Sequence, residues 1–211
     1  MKNNEILDIL DNYFPDSRCE LLYTKDYELL LSVMLSAQTT DKRVNSVTVP
    51  LFKEYDTLEK LDSLSIEEIE EVIKTIGMYK TKARYFKEVV SKVIELGGRV
   101  PSDREVLMSI PGVGRKTSSV VLAVLFNVPC IAVDTHVNRV SKRLGLASEN
   151  DSTDIIEKKL MKFFNKKDWN KVHYDFVLFG RYRCMASRPQ CKMQHCPFEN
   201  QCIYYKKNIK K

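Results

Sequence analysis

Ile110-Pro111-Gly112-Val113-Gly114-Arg115-Lys116-Thr117 is the stretch on which the rest of the chain turns. Two glycines flanking one apolar residue permit a tight hairpin. They also let backbone N–H groups approach an anion, because no Cβ stands in the way. A short helix, Glu105 to Ile110, is predicted before the hairpin. A second starts at Arg115 and runs through the apolar Val120 to Phe126. The N-terminus of that second helix adds N–H groups and partial positive charge, with Arg115 and Lys116 beside it. The unit, about residues 104–126, reads as a sequence-independent site for one backbone phosphate. Its plainer reading is an ordinary helix–turn–helix corner; Gly-Val-Gly followed by Arg-Lys favours the phosphate.

Lys116 needs its own account. A helix macrodipole disfavours a cation at the N-terminus, which eases proton loss, and a neutral amine is what nucleophilic catalysis uses. A plain phosphate-binding lysine is the commoner role. Downstream, the apolar run Pro129-Cys130-Ile131-Ala132-Val133 leads into Asp134-Thr135-His136-Val137-Asn138-Arg139, where a new helix begins. An aspartate there is by default an N-cap. The functional alternative is a carboxylate held next to Lys116, stabilising positive charge on a deoxyribose as its base departs.

Working outward, helix signals dominate. Ser65-Ile66-Glu67-Glu68 is a capping box whose helix is predicted to run to Ile76 and stop at Gly77. Ser102-Asp103-Arg104-Glu105 repeats that signature. Asp41 to Tyr55, Thr81 to Leu96, Thr153 to Phe164 and Lys171 to Arg183 follow the 3.6-residue period. Sustained two-residue alternation is absent and there are only seven glycines, so the fold class is all-α, with about ten helices and short connections. No low-complexity linker or solenoid repeat divides the chain, and Lys206 to Lys211 form a short basic tail.

Composition sets the frame. The 211 residues suffice for one large domain or two small ones, with 44% hydrophobic and 29% charged usage. No apolar run approaches a membrane span of about 18 residues. The start, Met1-Lys2-Asn3-Asn4-Glu5, lacks the pattern of a secretory signal, so a cytoplasmic protein with no membrane partner is expected. Thirty-four basic against 28 acidic residues, a net charge of +6, fits a nucleic-acid partner without requiring one. Cys19 and Cys130 stand alone and read as small hydrophobes. Cys184, Cys191, Cys196 and Cys202 crowd together near the C-terminus, which in an intracellular chain reads first as a metal site. Trp169 and Tyr174 read as packing residues, His173 as a satisfied helix residue, and His195 as an exposed loop histidine.

The hairpin stretch, followed by Ile131-Ala132-Val133-Asp134-Thr135-His136-Val137-Asn138-Arg139-Val140, resembles the helix-hairpin-helix DNA glycosylases. Ser36-Ala37-Gln38-Thr39-Thr40-Asp41, Ile76-Gly77-Met78-Tyr79-Lys80-Thr81-Lys82-Ala83 and Gly180-Arg181-Tyr182-Arg183-Cys184 resemble them too, so the likeness spans nearly the whole chain. It implies two helical lobes. One, of six helices, covers 20–133; the other joins 1–19 to 134–211 and carries the cysteine loop 184–202, with the active site in the cleft between. By position, Lys116 is the implied Schiff-base nucleophile and Asp134 the catalytic carboxylate. Gln38 and Met78 match loops that fill the hole left by a flipped base, although the family more often has leucine at the second. Gly112, Val113, Gly114, Arg115 and Arg188 are the remaining implied DNA contacts. The implied partner is duplex DNA with a damaged base, oxidised pyrimidines being the family's preference, or an abasic site, bound by a monomer.

The resemblance also implies a 4Fe–4S cluster on the four C-terminal cysteines. The family's gaps are usually six, two and five residues. Here they are six, four and five, and a four-cysteine zinc site is the runner-up. Arg181, Arg183, Arg188 and Lys192 surround these ligands, and the expected role is structural. The implied activity is a bifunctional glycosylase and abasic-site lyase. A monofunctional mismatch glycosylase would generally lack a lysine at position 116. A non-catalytic phosphate-binding module would explain the hairpin but not the matches outside it.

Overall fold

The computed structural model describes residues 2–187, 189–192 and 195–209, with Lys192 described through its backbone alone. Among them lie twelve α-helices, two short 3-10 turns and no strand, as the all-α reading expects. The chain forms two compact units: a hairpin unit, Glu20–Asn127, and a cysteine unit, Met1–Cys19 with Val128–Lys211. Residues 128–133 thus group with the cysteine unit, because Ile131 is fully buried in that unit's apolar core.

The hairpin unit contains α2 (Asp26–Leu35), α3 (Asp41–Glu54), α4 (Leu58–Ser63), α5 (Ile66–Ile73), α6 (Tyr79–Glu95), α7 (Arg104–Met108) and α8 (Arg115–Phe126). The family likeness implied six helices; seven are present, two of them, α4 and α7, short. Central α2 is apolar nearly all round, with Leu29, Leu30, Leu31 and Leu35 wholly buried, the signature of a helix enclosed by others. It packs on α3, α6 and α8, while α4 and α5 cover α6.

Local chemistry sets the ends. Ser65 and Glu68 cap α5 reciprocally, as the sequence suggests. The helix stops at Ile73 rather than Ile76, because Ile76 turns back to donate to the Ile73 carbonyl at 2.8 Å and buries its side chain. The left-handed residue is then Met78, with φ +61°, and not Gly77. The cap of α7 is Asp103 rather than Ser102; its carboxylate accepts from Val106 N at 2.9 Å.

The cysteine unit contains α1 (Asn3–Tyr13), α9 (Thr135–Leu144), α10 (Thr153–Phe163), α11 (Trp169–Tyr182) and α12 (Ile203–Asn208). Its core joins Ile6 and Leu10 of α1 to Val137, Val140, Phe176 and Phe179. Helices α9 and α11 approach tightly at Gly180, where a Cβ would lie 2.9 Å from that of His136. Trp169 packs against this core and donates from its indole to the Phe164 carbonyl at 3.0 Å. Cys130 is buried, and exposed His195 pairs with Glu199 at 3.2 Å, in keeping with the plain readings given them above; His173 is buried within α11. No helix of the described residues is long and apolar enough to cross a membrane.

Candidate active site

In the hairpin, α7 ends at Met108, the chain turns through Pro111–Gly114, and α8 begins at Arg115. Arg104, at the start of α7, braces the arrangement by donating to Ser119 Oγ on α8 at 2.7 Å. Val113 works as an anchor. Its side chain is 3% exposed, and its N–H donates back to the Ile110 carbonyl at 3.0 Å; that N–H was among the groups expected to meet a phosphate, and the turn already uses it.

The two glycines do different jobs. Gly112 adopts φ +79°, and a Cβ there would sit 2.8 Å from Tyr85 Cγ and 2.9 Å from Tyr85 Cβ. These atoms are near the α6 backbone and give way poorly. Gly114 has φ −86° and ψ −178°, open to any residue, and a Cβ there would meet nothing within 4 Å. Among the described residues, nothing requires glycine at 114, so its missing side chain leaves room for something outside them. As N-cap it also supplies no side-chain acceptor to the first turn of α8, the arrangement that suits an anion. Arg115 and Lys116 stand exposed in that turn. Gly112→Ala is therefore expected to destabilise the fold by about 1–3 kcal/mol through backbone strain and crowding. Gly114→Ala should cost under about 1 kcal/mol, yet weaken DNA binding. Urea unfolding and a DNA titration of both variants check the contrast.

Asp134 N-caps α9. Its Oδ1 accepts from His136 N at 2.8 Å and Val137 N at 2.7 Å, which leaves Oδ2 as the oxygen not committed by those two bonds. Around it lies a lattice that the sequence reading did not pick out. Arg139 donates to the Gly180 carbonyl at 2.7 Å, to the Cys184 carbonyl at 2.9 Å and to His136 Nδ1 at 3.1 Å. Burial pushes the His136 imidazole below its usual value, Asp134 opposes this, and Arg139 and Arg181 add to it. A neutral imidazole fits its role as acceptor from Arg139. The available signal for this set was Thr-His-Val-Asn-Arg on one helical turn, read across to Gly180. Lys116 belongs to the hairpin unit and Asp134 to the cysteine unit.

Gln38 and Met78 are both exposed and both left-handed, with φ +57° and +61°. Non-glycine residues in that region are held there by their surroundings and concentrate at functional sites. Their loops adjoin: a Cβ on Gly77 would lie 3.9 Å from the Gln38 carbonyl. Arg188 lies outside the described residues.

Cys184, Cys191, Cys196 and Cys202 all line one pocket, with Arg183, Phe179, Phe198 and Tyr204. Burial pushes the Cys196 thiol up to about 11, the other three cysteines adding to the shift, and raises Cys202 as well. Four thiols gathered on one pocket are held together as thiolates only when a cation offsets their charge, so the donor set fits a metal centre. Arg143 holds one side of the loop. It donates to Cys184 Sγ at 3.2 Å and to the Met185 carbonyl at 2.8 Å, and lies 4.0 Å over the Tyr204 ring. Cys202 Sγ accepts from Tyr205 N at 3.4 Å, and the same sulfur reaches the Arg143 carbonyl at 3.3 Å. Arg143 was not singled out in the sequence; it stands one helical turn after Arg139.

The chain has close relatives among known proteins. Residues 31–166 match the model of the HhH-GPD superfamily base excision DNA repair proteins. The chain is 45% identical to an endonuclease III of Bacillus subtilis, over 97% of its own length and 93% of the relative's. It is 43% identical to one of Rickettsia felis, over 98% and 96%. Among solved structures it is similar to an endonuclease III trapped as a covalent intermediate with DNA, at TM-score 0.91 and 45% identity, covering 99% of both chains. It is likewise similar to a non-covalent endonuclease III–DNA complex, at TM-score 0.92 and 45% identity, covering 99% of this chain and 97% of that one. The chain belongs to the HhH-GPD superfamily of base excision DNA repair proteins, in its endonuclease III branch.

Proposed function

We propose that the protein is a bifunctional DNA glycosylase and abasic-site lyase acting on cytoplasmic duplex DNA that carries damaged pyrimidines, with Lys116 as nucleophile and Asp134 as catalytic carboxylate. The observation that carries this is an exposed lysine in the first turn of α8, directly behind a Gly114 that leaves open space. The likeness to a covalently trapped relative supports it.

The damaged base leaves the stack, because the glycosidic bond is inaccessible in an intact duplex. Gln38 and Met78, exposed on adjoining turns, fill the gap. Asp134 stabilises the positive charge that builds on the sugar as the C1′–N bond breaks and its electrons depart with the base. The neutral Lys116 amine forms a bond to C1′, and ring opening with a proton on O4′ leaves an imine. Loss of a C2′ proton then expels the 3′ phosphate oxygen, and water releases the lysine. The phosphate held at Gly114, Arg115 and the start of α8 fixes the strand without reading sequence.

The cysteine loop holds a 4Fe–4S cluster in this reading. When bound, the cluster ties together a segment too short to build its own core. Purified protein is expected to contain iron and acid-labile sulfide, and Cys202→Ala to lose both along with thermal stability. Zinc in place of iron would overturn the assignment.

Borohydride trapping on a duplex with one abasic site tests the activity. A covalent protein–DNA adduct is expected. Absence of an adduct from protein that binds the duplex would sink the lyase reading.

A further inference from the structure

We propose that Lys82 is a positioning residue that fixes the Gln38 and Met78 turns as one rigid wedge for the opened duplex. The proposal rests on the wedge reading of those two residues given above.

Lys82 lies in the first turn of α6 and is 4% exposed. Its ammonium donates to the Leu35 carbonyl at 2.9 Å, the Ala37 carbonyl at 2.6 Å and Thr39 Oγ1 at 3.2 Å. Three donors thus meet three acceptors, the full capacity of a lysine. Leu35 ends α2, so the cation also satisfies a carbonyl at a helix C-terminus. Ala37 and Thr39 bracket Gln38, the strained residue of the turn. The backbone of the same lysine closes on the other strained residue, since Lys82 N donates to the Met78 carbonyl at 3.0 Å. One residue therefore holds Gln38 from both sides through its side chain and Met78 through its main chain.

Burial draws the Lys82 ammonium below its usual value, with no neighbouring charge to offset it. A buried charge is a costly way to gain stability alone. What it supplies is geometry: three fixed directions for a turn whose exposed tip would otherwise relax out of the left-handed region. An insertion residue a fraction of an ångström out of place loses its fit to the gap, and such misplacement is costly in rate.

The test compares cutting of an abasic strand in duplex with cutting of the same strand alone, which has no gap to fill. Under single turnover, Lys82→Met is expected to lower the duplex-to-single-strand ratio about tenfold. General destabilisation would lower both rates and leave the ratio unmoved. Thr39→Val removes one acceptor at the surface and is expected to lower the ratio about threefold; it decides the matter if Lys82→Met does not fold. Gln38→Ala serves as reference. A lowered ratio in Gln38→Ala with an unchanged ratio in the lysine variant would overturn the role of Lys82. An unchanged ratio in Gln38→Ala would overturn the wedge and the proposal with it. Trapping of wild-type protein on the same duplex, run alongside, reports the lyase activity independently of both.

Discussion

Protein carrying Lys116→Gln is expected to bind an abasic duplex and leave it uncut, with the cleavage rate reduced at least about a thousandfold, as for loss of a covalent nucleophile. Glutamine keeps much of the length of the side chain and its capacity to donate a hydrogen bond, but an amide nitrogen is no nucleophile. Lys116 is exposed in the first turn of α8, so the exchange uncovers no apolar surface, and the urea midpoint should stay in place. Loss of one cation should lower the slope of log affinity against log salt by about 1 and weaken binding evenly across sequences. The decisive comparison is borohydride trapping of the two proteins side by side. An adduct from Lys116→Gln equal to wild type would mean that another amine attacks C1′, and Lys116 would revert to a phosphate contact.

Much of this was legible in the residues. The α8 start at Arg115 and its end at Phe126 were readable because Gly114 precedes the first turn and Asn127 closes the apolar run Val120 to Phe126. The Asp134 cap was readable because an aspartate before Thr-His-Val has little else to do locally. Less legible were features that need the chain to fold back on itself. Lys82 reads as one more cation on an amphipathic helix, and only the approach of residues 35–39, more than forty positions away, turns it into a clamp. Arg139 and Arg143 look like a solvated face of α9 until Gly180 and Cys184 arrive beside them. The end of α5 was misplaced for a related reason. Gly77 looks like a stop signal, but the burial of Ile76 ends the helix earlier, and Met78 takes the left-handed position. Local propensity marks where elements begin; long-range contacts decide which polar groups acquire a task.

Asp134→Asn separates the two duties that Asp134 holds. As a cap, Oδ1 accepts from His136 N and Val137 N, and asparagine caps a helix about as well as aspartate does. The fold should therefore lose only what the negative charge gains from the α9 dipole, about 0.3–1 kcal/mol. As a catalytic group, the carboxylate acts through that same charge, opposite a sugar becoming cationic. An amide offers a dipole in its place, and base excision should fall by about a hundredfold or more. The abasic-site cutting step, in which the base has already gone, should suffer less, and this split marks a charge acting on glycosidic bond cleavage. Asp134→Ala supplies the contrast: it loses the cap as well, at a further cost of about 1 kcal/mol. Single-turnover excision from duplex carrying an oxidised pyrimidine, run beside thermal melts of both variants, gives the answer. Excision by Asp134→Asn at the wild-type rate would leave Asp134 a helix cap and nothing more, and the charge that stabilises the cationic sugar would have to come from another side chain.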